Sequence, residues 1–379
     1  MSNITYHLLT ESEPFSEFAG GAISRWAGNV LRNGVGSVVV CPEADDSWRF
    51  SPECVFVLPG FKFYKTARRY LSRLPWLSHG RLIFCLFRPL LARLRRGDIV
   101  WIHNRPEFAL ALTPSIRRRG ARVVLHLHNS HLSGGPEWLM KQIRVDKLVF
   151  VSEFLRQQAR EKLPELSAWF AGSSVLYNGA DQSIFYPPLA GRSNRQQVSV
   201  LFAGRLVEDK GVHILLEAMK LLEQQRVGLQ AYIVGSSSFG RGEETDYIRR
   251  LKAAPPSTVV FLEYRSGPAL GDLFREADMF CSPAVWDEPF GLVNVEALAS
   301  GLPVVSTLSG GSKEVFAGGG GILVERGCAV QLAAALRRLA ESPELRAQLG
   351  QQGYQSFLDR FTWSATRRQV QDIEKAIST

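Results

Sequence analysis

Two glutamates eight positions apart mark the stretch of this chain that is richest in possible chemistry. Glu288 and Glu296 lie in the segment WDEPFGLVNVEALAS, and the second falls inside an apolar run typical of a buried helix. That run stops at Gly301, with Pro303 just beyond it. A helix that begins after Gly291 would present free N–H groups and the positive end of its dipole, which together suit a phosphate.

The expected anion site consists of main-chain groups of Gly291, Leu292 and Val293 at the helix N-terminus. Glu296 lies about one turn further along, where its carboxylate can accept hydrogen bonds from two neighbouring ribose hydroxyls. Glu288 precedes the helix and would lie on the other side of the phosphates, where a transferred sugar would be. Both glutamates can also be interpreted as ordinary acids near a helix N-terminus, and these residues alone leave the two interpretations open.

Two cations follow a predicted strand earlier in the same half of the chain. In LFAGRLVEDKG, residues 201–211, Arg205 and Lys210 lie in the loop between that strand and the next predicted helix. A guanidinium and an ammonium at the tip of a parallel strand can clamp a diphosphate and neutralise its charge as it departs. The alternative is a loop that carries two solvated bases.

Two weaker signals occur in the first half of the chain. Gly20 and Gly21, in FAGGAISRWA, follow the first predicted strand, where glycine lets the backbone approach a phosphate closely; a tight turn is the alternative. His128 ends the predicted strand RVVLHLH, and His126 lies deeper on the same face. A strand-end histidine is usually structural, but beside a phosphosugar His128 would be a candidate to orient the sugar or the acceptor.

Strands and helices alternate through both halves, which predicts two doubly wound parallel sheets with helices on both faces. The predicted strands are Ile4–Leu9, Ser37–Cys41, Val55–Leu58, Ile99–His103, Arg122–His128, Lys147–Val151, Val198–Phe202, Gln230–Val234, Val259–Leu262, Met279–Ser282, Pro303–Thr307 and Gly321–Val324. The predicted helices are Gly21–Arg32, Arg81–Arg95, Phe108–Arg119, Glu153–Lys162, Val212–Gln224, Glu243–Ala253, Ala269–Ala277, Leu292–Ser300, Ala329–Ala340 and a tail from Pro343. Turn and linker chemistry between Asn178 and Gln197 separates the two α/β series, whose ligands are expected at the carboxyl ends of the strands.

Composition places the chain among ordinary globular proteins. Its 379 residues exceed the usual size of one core, and with 45% hydrophobic and 21% charged residues disorder is not expected. The five cysteines are scattered without a C-x-x-C pair, so neither a disulfide framework nor a zinc knuckle is expected, and a reducing cytosol fits. Glu11, Glu13 and Glu17 argue against a signal peptide, and the apolar run Leu82–Phe87 is too short to span a bilayer.

The net charge of +9 belongs to the first half of the chain. Residues 1–180 hold 24 Lys and Arg against 14 Asp and Glu, a net of +10, whereas residues 181–379 hold 21 against 22, a net of −1. Ten of these bases and no acid lie within Lys62–Arg96, which is called the basic segment below. Its interleaved apolar residues are Phe61, Phe63, Tyr64, Tyr70, Leu71, Leu74, Trp76 and Leu77.

This pattern is typical of a segment that lies on an anionic membrane surface, where each base contributes about 1 kcal/mol. A solvated helix face is the alternative. Nucleic acid is not expected as a partner, because no helix-turn-helix, zinc-finger or RNA-recognition signature accompanies the charge.

Several motifs together resemble those of glycosyltransferase family four. They are GRLVEDKG, the E-x7-E arrangement EPFGLVNVE, YNGADQSIF, GLPVVSTLSGGSKEV and FTW in the second half, and GGAISRWA, HLHN and VSEF in the first. The resemblance implies a retaining enzyme of the GT-B architecture, with two Rossmann-like domains facing a central cleft, that uses a nucleotide-sugar. The expected domains are residues 1–185 for the acceptor and 186–358 for the donor, with residues 359–379 crossing back onto the first.

The resemblance also implies roles for individual residues. Arg205 and Lys210 would bind the donor diphosphate, and Glu296 would hold the ribose. Gly21 would meet the diphosphate from the opposite domain, and His128 matches the family's cleft histidine.

Glu288 would contact the donor sugar, as would the backbone groups of Phe290, Gly291 and Leu292. Glu288 is expected to position the sugar rather than to act as a covalent nucleophile. The leaving phosphate itself would deprotonate the acceptor, because no strong base is evident. Neither a metal nor a cofactor is expected, since nothing resembles the Asp-x-Asp of metal-using transferases.

A closer likeness favours one donor and one kind of acceptor. IHNRPEF, HLHNSH, GSSSFG and FCSPAVWDEPFGLVNVEA are similar to segments of bacterial transferases that add N-acetylglucosamine to the lipopolysaccharide core. This implies UDP-N-acetylglucosamine and a glycan or glycolipid acceptor, with the enzyme on the inner face of the cytoplasmic membrane. Ala284 departs from the serine that the family often has after the proline, which leaves the donor sugar open.

Two alternatives to a transferase stay open. One is a GT-B sugar phosphorylase, which would need a lysine suited to pyridoxal phosphate, and no feature singles one out. The other is a non-catalytic basic module that binds anionic lipid or nucleic acid.

Overall fold

The computed structural model describes residues 3–17, 21–31, 36–48, 50–58, 60–64, 66–67, 76–129, 137–189, 197–238 and 244–378. The chain divides into two compact units. The first contains Met1–Tyr177 together with Thr366–Thr379, and the second contains Asn178–Ala365. Among the described residues, no helix is both long and apolar enough to cross a membrane.

A seven-stranded parallel sheet forms the centre of the first unit, in the order β3-β2-β1-β4-β5-β6-β7. Its strands are β1 Thr5–Leu8, β2 Ser37–Cys41, β3 Val55–Val57, β4 Ile99–His103, β5 Arg122–Leu127, β6 Lys147–Phe150 and β7 Ser174–Val175. The strands β1 and β4 are buried along their whole length, as expected of a parallel sheet covered on both faces. The strand β7 was not predicted, because two residues are too short to carry a periodic signal.

The helices of the first unit pack on this sheet and on one another. They are Ala22–Leu31, Trp76–Arg93, Pro106–Arg118, Glu137–Gln142, Glu153–Lys162 and Ser167–Ala171, and the helix Trp363–Ser378 lies largely in this unit. Hydrogen bonds attach the last helix to the same unit, among them those from Trp101 Nε1 to Glu374 Oε1 at 2.9 Å and from Arg367 to the carbonyl oxygen of Asn29 at 2.7 Å.

The basic segment only partly matches its prediction. Phe61 and Tyr64 were expected among its membrane-facing aromatics, but both are fully buried in the core, where they pack against Phe108. Phe63 and Phe84 are exposed, at 64% and 40%. Tyr70, Leu71 and Leu74 lie outside the described residues.

The second unit repeats the strand order of the first. Its six-stranded parallel sheet has the order β10-β9-β8-β11-β12-β13. The strands are β8 Val198–Ala203, β9 Leu229–Val234, β10 Val259–Leu262, β11 Met279–Ser282, β12 Val304–Thr307 and β13 Gly321–Val324. The helices are Val212–Gln224, Asp246–Ala253, Gly267–Glu276, Leu292–Ala299, Ser312–Val315, Ala329–Glu341 and Pro343–Arg360. Both sheets therefore have the 3-2-1-4-5-6 order of a doubly wound fold, which confirms the predicted fold class.

In both sheets, an aspartate directly before a strand binds the backbone of the neighbouring strand. Asp98, directly before β4, accepts a hydrogen bond from the amide of Ile4 at 2.9 Å. Asp146, before β6, accepts one from the amide of Val123 at 2.8 Å. Asp278, before β11, accepts bonds from both the amide and the hydroxyl of Ser199 at 2.8 Å. In each case a carboxylate satisfies a backbone donor at the start of the neighbouring strand, which holds the register of the pair.

Replacing Asp278 with alanine should lower the free energy of unfolding of the second unit by about 1–3 kcal/mol, because the buried amide of Ser199 loses its acceptor. The measurement is denaturant unfolding. The control is Asp272→Ala, which removes an exposed carboxylate paired with Arg275 and should change stability by less than about 1 kcal/mol. Equal effects of the two variants would contradict the proposed role of Asp278.

Candidate functional site

The point where the strand order reverses defines the candidate site in the second unit. There β8 and β11 lie side by side and run parallel. Ligands of open α/β sheets bind outside the carboxyl ends of the strands at such a point. The two loops that follow these strands, residues 204–211 and 283–291, contain five of the residues predicted to bind the donor: Arg205, Lys210, Glu288, Phe290 and Gly291.

The backbones of these two loops are in direct contact. The amide of Val285 donates to the carbonyl oxygen of Asp209 at 2.9 Å. A Cβ atom on Gly211 would lie only 1.9 Å from the carbonyl oxygen of Pro283, and Gly211 has a φ of +69°. Only glycine tolerates both conditions, so residue 211 lets the two loops approach each other.

This approach brings Lys210 and Glu288 together. The Lys210 Nζ lies 2.6 Å from Glu288 Oε1, and the two side chains are only 16% and 18% exposed. The same ammonium lies 5.7 Å from the centre of the Trp286 ring, within the range of a cation–π contact. This ion pair was not predicted, because its partners are 78 positions apart.

Arg205 lies at the start of the first loop, and its side chain is exposed. Lys210 ends the short turn Glu208–Lys210 further along the same loop. The two predicted diphosphate ligands are therefore in different surroundings. Lys210 is held by a carboxylate, whereas Arg205 is accessible to solvent.

The helix Leu292–Ala299 begins as predicted. Gly291 is its N-cap residue, with φ and ψ of 85° and 62°, and no side chain caps it. The amides at the start of this helix are therefore available for an anion, apart from that of Asn294, which donates to the carbonyl oxygen of Gly291 at 2.9 Å. The carboxyl carbon of Glu288 lies 4.0 Å from the point where a Cβ on Gly291 would be, so Glu288 lies beside this N-terminus.

The other predicted donor residues lie on the same helix or directly before it. Leu292 and Val293 form its first positions and are partly buried, and Phe290 is buried against Phe361. Glu296 is the fifth residue of the helix and is only 5% exposed.

A third loop, residues 307–311, contacts the main chain of the loop that carries Glu288, and no role was predicted for it. The amide of Gly311 donates to the carbonyl oxygen of Glu288 at 2.8 Å, and Thr307 Oγ1 donates to the carbonyl oxygen of Ala284 at 2.6 Å. Gly310 has a φ of +49°, and a Cβ there would lie 2.0 Å from the same oxygen of Glu288. The motif GLPVVSTLSGGSKEV contained these residues, and its paired glycines were the available signal.

In the first unit, Gly21 lies directly before the helix Ala22–Leu31, and Gly20 lies outside the described residues. A Cβ on Gly21 would lie 2.7 Å from the carboxyl group of Glu13, and Glu13 Oε2 accepts from the amide of Ser24 at 3.2 Å. Burial raises the pKa of the Glu13 carboxyl, although the hydrogen bond from Ser24 opposes this shift. The position expected to approach a phosphate is thus next to one of the protein's own carboxyl groups.

His128 lies at the carboxyl end of β5 and is buried, and His126 is completely buried below it. The side chain of Asn104 accepts hydrogen bonds from the amides of His128 at 2.7 Å and Asn129 at 3.2 Å. Asn104 itself has a φ of +56°, which asparagine tolerates better than most residues. This asparagine was part of the motif IHNRPEF, but no positioning role was predicted for it.

Two family models match most of the chain. Residues 190–356 match the family described as glycosyl transferases group 1, and residues 23–183 match the family described as Glycosyltransferase Family 4. The chain is therefore a retaining glycosyltransferase of family four, which transfers a sugar from a nucleotide-sugar.

Individual relatives are more distant. The chain is 26% identical to spore coat protein SA of Bacillus subtilis over 71% of its own length and 75% of that protein. It is also 26% identical to the lipopolysaccharide 1,2-N-acetylglucosaminetransferase of Salmonella typhimurium, over 70% and 69% of the two chains. A D-inositol 3-phosphate glycosyltransferase of Arthrobacter is 34% identical, but only over 51% of this chain and 48% of that one. The chain thus spans between about half and three quarters of the curated relatives it matches.

Solved structures share the GT-B fold. The sucrose-phosphate synthase of Thermosynechococcus elongatus has a TM-score of 0.76 and 20% identity over 99% of both chains. The HepE protein of Anabaena, in complex with UDP and glucose, has a TM-score of 0.70 and 19% identity over 98% of this chain and 99% of that one.

Replacing Gly310 with alanine should lower the free energy of unfolding of the second unit by about 2 kcal/mol or more, because the new Cβ would clash with the Glu288 carbonyl in a left-handed backbone. Amide hydrogen exchange at Gly311 should accelerate in the same variant, since its acceptor is that carbonyl oxygen.

The control for this change is Gly228→Ala. No atom lies within 4 Å of a Cβ there, so its effect should stay below about 0.5 kcal/mol. Unchanged exchange at Gly311 in the Gly310 variant would show that the third loop does not support Glu288.

Proposed function

We propose that this enzyme transfers N-acetylglucosamine from UDP-N-acetylglucosamine to a cell-surface glycan or glycolipid such as the lipopolysaccharide core. The contact between Lys210 and Glu288, beside a helix N-terminus at the switch point of the second sheet, carries the proposal. The similarity to the Salmonella lipopolysaccharide enzyme supports the sugar and the acceptor, and the UDP complex of the HepE protein supports the nucleotide.

The diphosphate of the donor would be bound by three kinds of positive group. Arg205 supplies an exposed guanidinium, Lys210 an ammonium, and the amides after Gly291 the partial charge of a helix N-terminus. Negative charge grows on the diphosphate as the bond to the sugar breaks, so groups already fixed in place stabilise the transition state more than the ground state. Lys210 is fixed in this way by Glu288 and by the ring of Trp286.

Glu288 would position the sugar rather than attack it. Its carboxylate is paired with Lys210, which withdraws electron density and leaves the remaining lone pairs as hydrogen-bond acceptors for sugar hydroxyls. Its main chain is fixed by the loop at Gly310 and Gly311, so its distance to a bound sugar would vary little. Glu296, one turn further along the helix, would bind the ribose.

The acceptor hydroxyl would attack on the face that the diphosphate leaves, so the anomeric configuration is retained. The departing phosphate would take the proton of the acceptor, and no metal takes part in this step. His128, in the first unit, would contact the sugar or the acceptor.

Glu288→Ala should lower turnover by about 100-fold or more, since the variant loses the acceptor that orients the sugar and leaves Lys210 unpaired. Glu288→Gln should retain more activity, because the amide oxygen still accepts hydrogen bonds. The assay is UDP or GDP release from UDP-N-acetylglucosamine, UDP-glucose and GDP-mannose, with isothermal titration of each donor.

The matched control is Glu263→Ala, which removes an exposed acid paired with Arg265 in the same unit and should turn over as the wild type does. If Glu288→Ala turned over as fast as the wild type, the proposed role of Glu288 in binding the sugar would be wrong. Preference for GDP-mannose would overturn the proposed donor and leave the transferase assignment intact.

The basic segment would hold the enzyme on the inner face of the cytoplasmic membrane. On the helix Trp76–Arg93, the side chains of Arg81, Phe84 and Arg88 are exposed, whereas the opposite face is buried in the core. Phe63 is exposed nearby in sequence and follows the exposed Lys62. Exposed phenylalanines among arginines and no acid are typical of an interfacial surface, where bases meet anionic headgroups and rings enter the acyl boundary.

Reversing two of these charges, Arg81→Glu with Arg88→Glu, should weaken binding to vesicles of phosphatidylcholine and phosphatidylglycerol by about 30-fold or more, given roughly 1 kcal/mol per base. Sedimentation with these vesicles measures the change, and vesicles of phosphatidylcholine alone should bind neither protein well.

The control reverses two exposed arginines of the second unit, Arg337→Glu with Arg338→Glu, which changes net charge equally. Equal loss in both variants would show that net charge alone, and not the basic segment, determines vesicle binding.

A further inference from the structure

A group of buried imidazoles lies behind His128 in the first unit. His7 is on β1, His103 on β4, and His126 and His128 are on or directly after β5, so three neighbouring strands supply them. His7, His103 and His126 are 0% exposed. The ring of Trp26 packs against all four histidines, with centroid distances between 4.8 and 6.0 Å.

Three of these imidazoles form a hydrogen-bonded chain that ends at His128. His7 Nδ1 lies 3.3 Å from His103 Nε2, and His103 Nδ1 lies 3.0 Å from His128 Nε2. Each contact needs one nitrogen with a proton and one without. A neutral imidazole carries one proton, so choosing the direction of one contact fixes the whole chain.

His7 and His103 are both neutral at physiological pH. Burial lowers the pKa of His7 to about 3. Burial, and then the neighbouring His128 and His7, hold the pKa of His103 well below its usual range. Each of these two rings therefore has a single N–H group.

The direction of the chain decides which of its two ends carries a buried N–H group, Nε2 of His7 or Nδ1 of His128. His7 Nε2 is buried and has no hydrogen-bond partner among the described residues. If the protons pointed from His128 towards His7, this nitrogen would be a buried N–H donor without an acceptor, which is rare and costly. If they point the other way, His7 Nε2 is an unprotonated nitrogen among aromatic rings, and the buried N–H group is Nδ1 of His128. His128 lies at the carboxyl end of its strand, where the proposed function places a substrate oxygen that can accept from this group, whereas His7 is completely buried.

We propose that His7 and His103 are positioning residues that donate in sequence towards His128, so that Nε2 of His128 accepts and its proton is held on Nδ1. His128 then presents an N–H donor, and a hydroxyl or phosphate oxygen of the bound substrates is the group that it recognises. Its backbone is fixed independently by Asn104, which accepts from the amide of His128. The proposal rests on the proposed function, which places His128 at the sugar or the acceptor.

A metal ion is the competing occupant of this cluster. One ring nitrogen from each of His103, His126 and His128 lies within 4.8 Å of the others. Two nitrogens bound to one tetrahedral zinc would lie roughly 3.4 Å apart, from bonds of about 2.0–2.1 Å. The 3.0 Å between His103 Nδ1 and His128 Nε2 instead matches a direct N–H···N hydrogen bond.

The first test reads the tautomer directly. In wild-type protein labelled with ¹⁵N-histidine, NMR should show the His128 proton on Nδ1, with Nε2 in the range of a hydrogen-bonded acceptor. A proton on Nε2 of His128 would overturn the proposal, as would stoichiometric zinc in protein purified without added metal or taken up on titration with zinc chloride. This measurement needs no variant and no substrate.

The second test uses two amide side chains that differ by one methylene group. In His103→Asn the side-chain amide can take the place of Nδ1 and still donate to His128, whereas in His103→Gln it takes the place of Nε2 and reaches His7 instead. We expect His103→Asn to keep the Nδ1 tautomer of His128 and most of kcat. His103→Gln should lose the tautomer preference and about tenfold in kcat, with KM for the donor little changed.

Equal tautomers and equal kcat in the two variants would assign His103 a packing role only and overturn the proposal. If wild-type protein turned over no nucleotide-sugar, the proposed function would fail, while the tautomer found by NMR would still decide the direction of the chain.

Discussion

The ion pair between Lys210 and Glu288 depends on two loops whose backbones touch. A side chain on Gly211 would push them apart, and one on Gly310 would displace Glu288 from the other side. The glycines therefore determine where a carboxylate and an ammonium lie, although neither glycine carries a functional group. An ion pair that is mostly buried contributes little net stability, because desolvation opposes the attraction. Its effect at this position is geometric, since it fixes the ammonium of a side chain that would otherwise be mobile.

The loops can meet only because their strands enter the sheet in register. Asp278 fixes β11 against β8 at the amino ends of these strands, and the loops of the candidate site emerge at their carboxyl ends. The first unit uses Asp98 and Asp146 in the same way around β4, β5 and β6. In each sheet, carboxylates align the strands at their amino ends, and the candidate functional groups lie at their carboxyl ends.

The strands were largely predictable, because runs of valine and isoleucine bounded by turn residues occur where parallel strands are buried. Ser37–Cys41, Ile99–His103, Val259–Leu262, Met279–Ser282 and Gly321–Val324 match their predictions residue for residue. The helix predicted at Arg81–Arg95 begins instead at Trp76 and contains Gly80 and Pro89, because burial of Ile83, Phe87 and Leu90 outweighs the weak helix propensity of both residues. The local sequence pattern does not show how much such burial in the folded core stabilises a helix.

The candidate site was predictable where its residues share one motif, as with Gly291 and Glu296, and not where distant segments meet. Nothing in the sequence pairs Lys210 with Glu288, places Gly311 under Glu288, or brings His7 and His103 to His128. Those contacts follow from strand order, which hydrophobic periodicity does not specify. The contact between the Glu13 carboxyl group and Gly21, eight positions further along the chain, was not predicted either.

That carboxyl group has a consequence for anything that approaches the helix Ala22–Leu31. Its N-terminus already holds the carboxyl group of Glu13, which accepts a hydrogen bond from the amide of Ser24. An incoming phosphate must compete with a carboxyl group tethered to the same chain, whose effective concentration is on the order of millimolar. A substrate that binds this helix end must therefore displace the Glu13 carboxyl group rather than fill an empty site. Only a ligand that makes further contacts elsewhere would bind strongly enough to displace it.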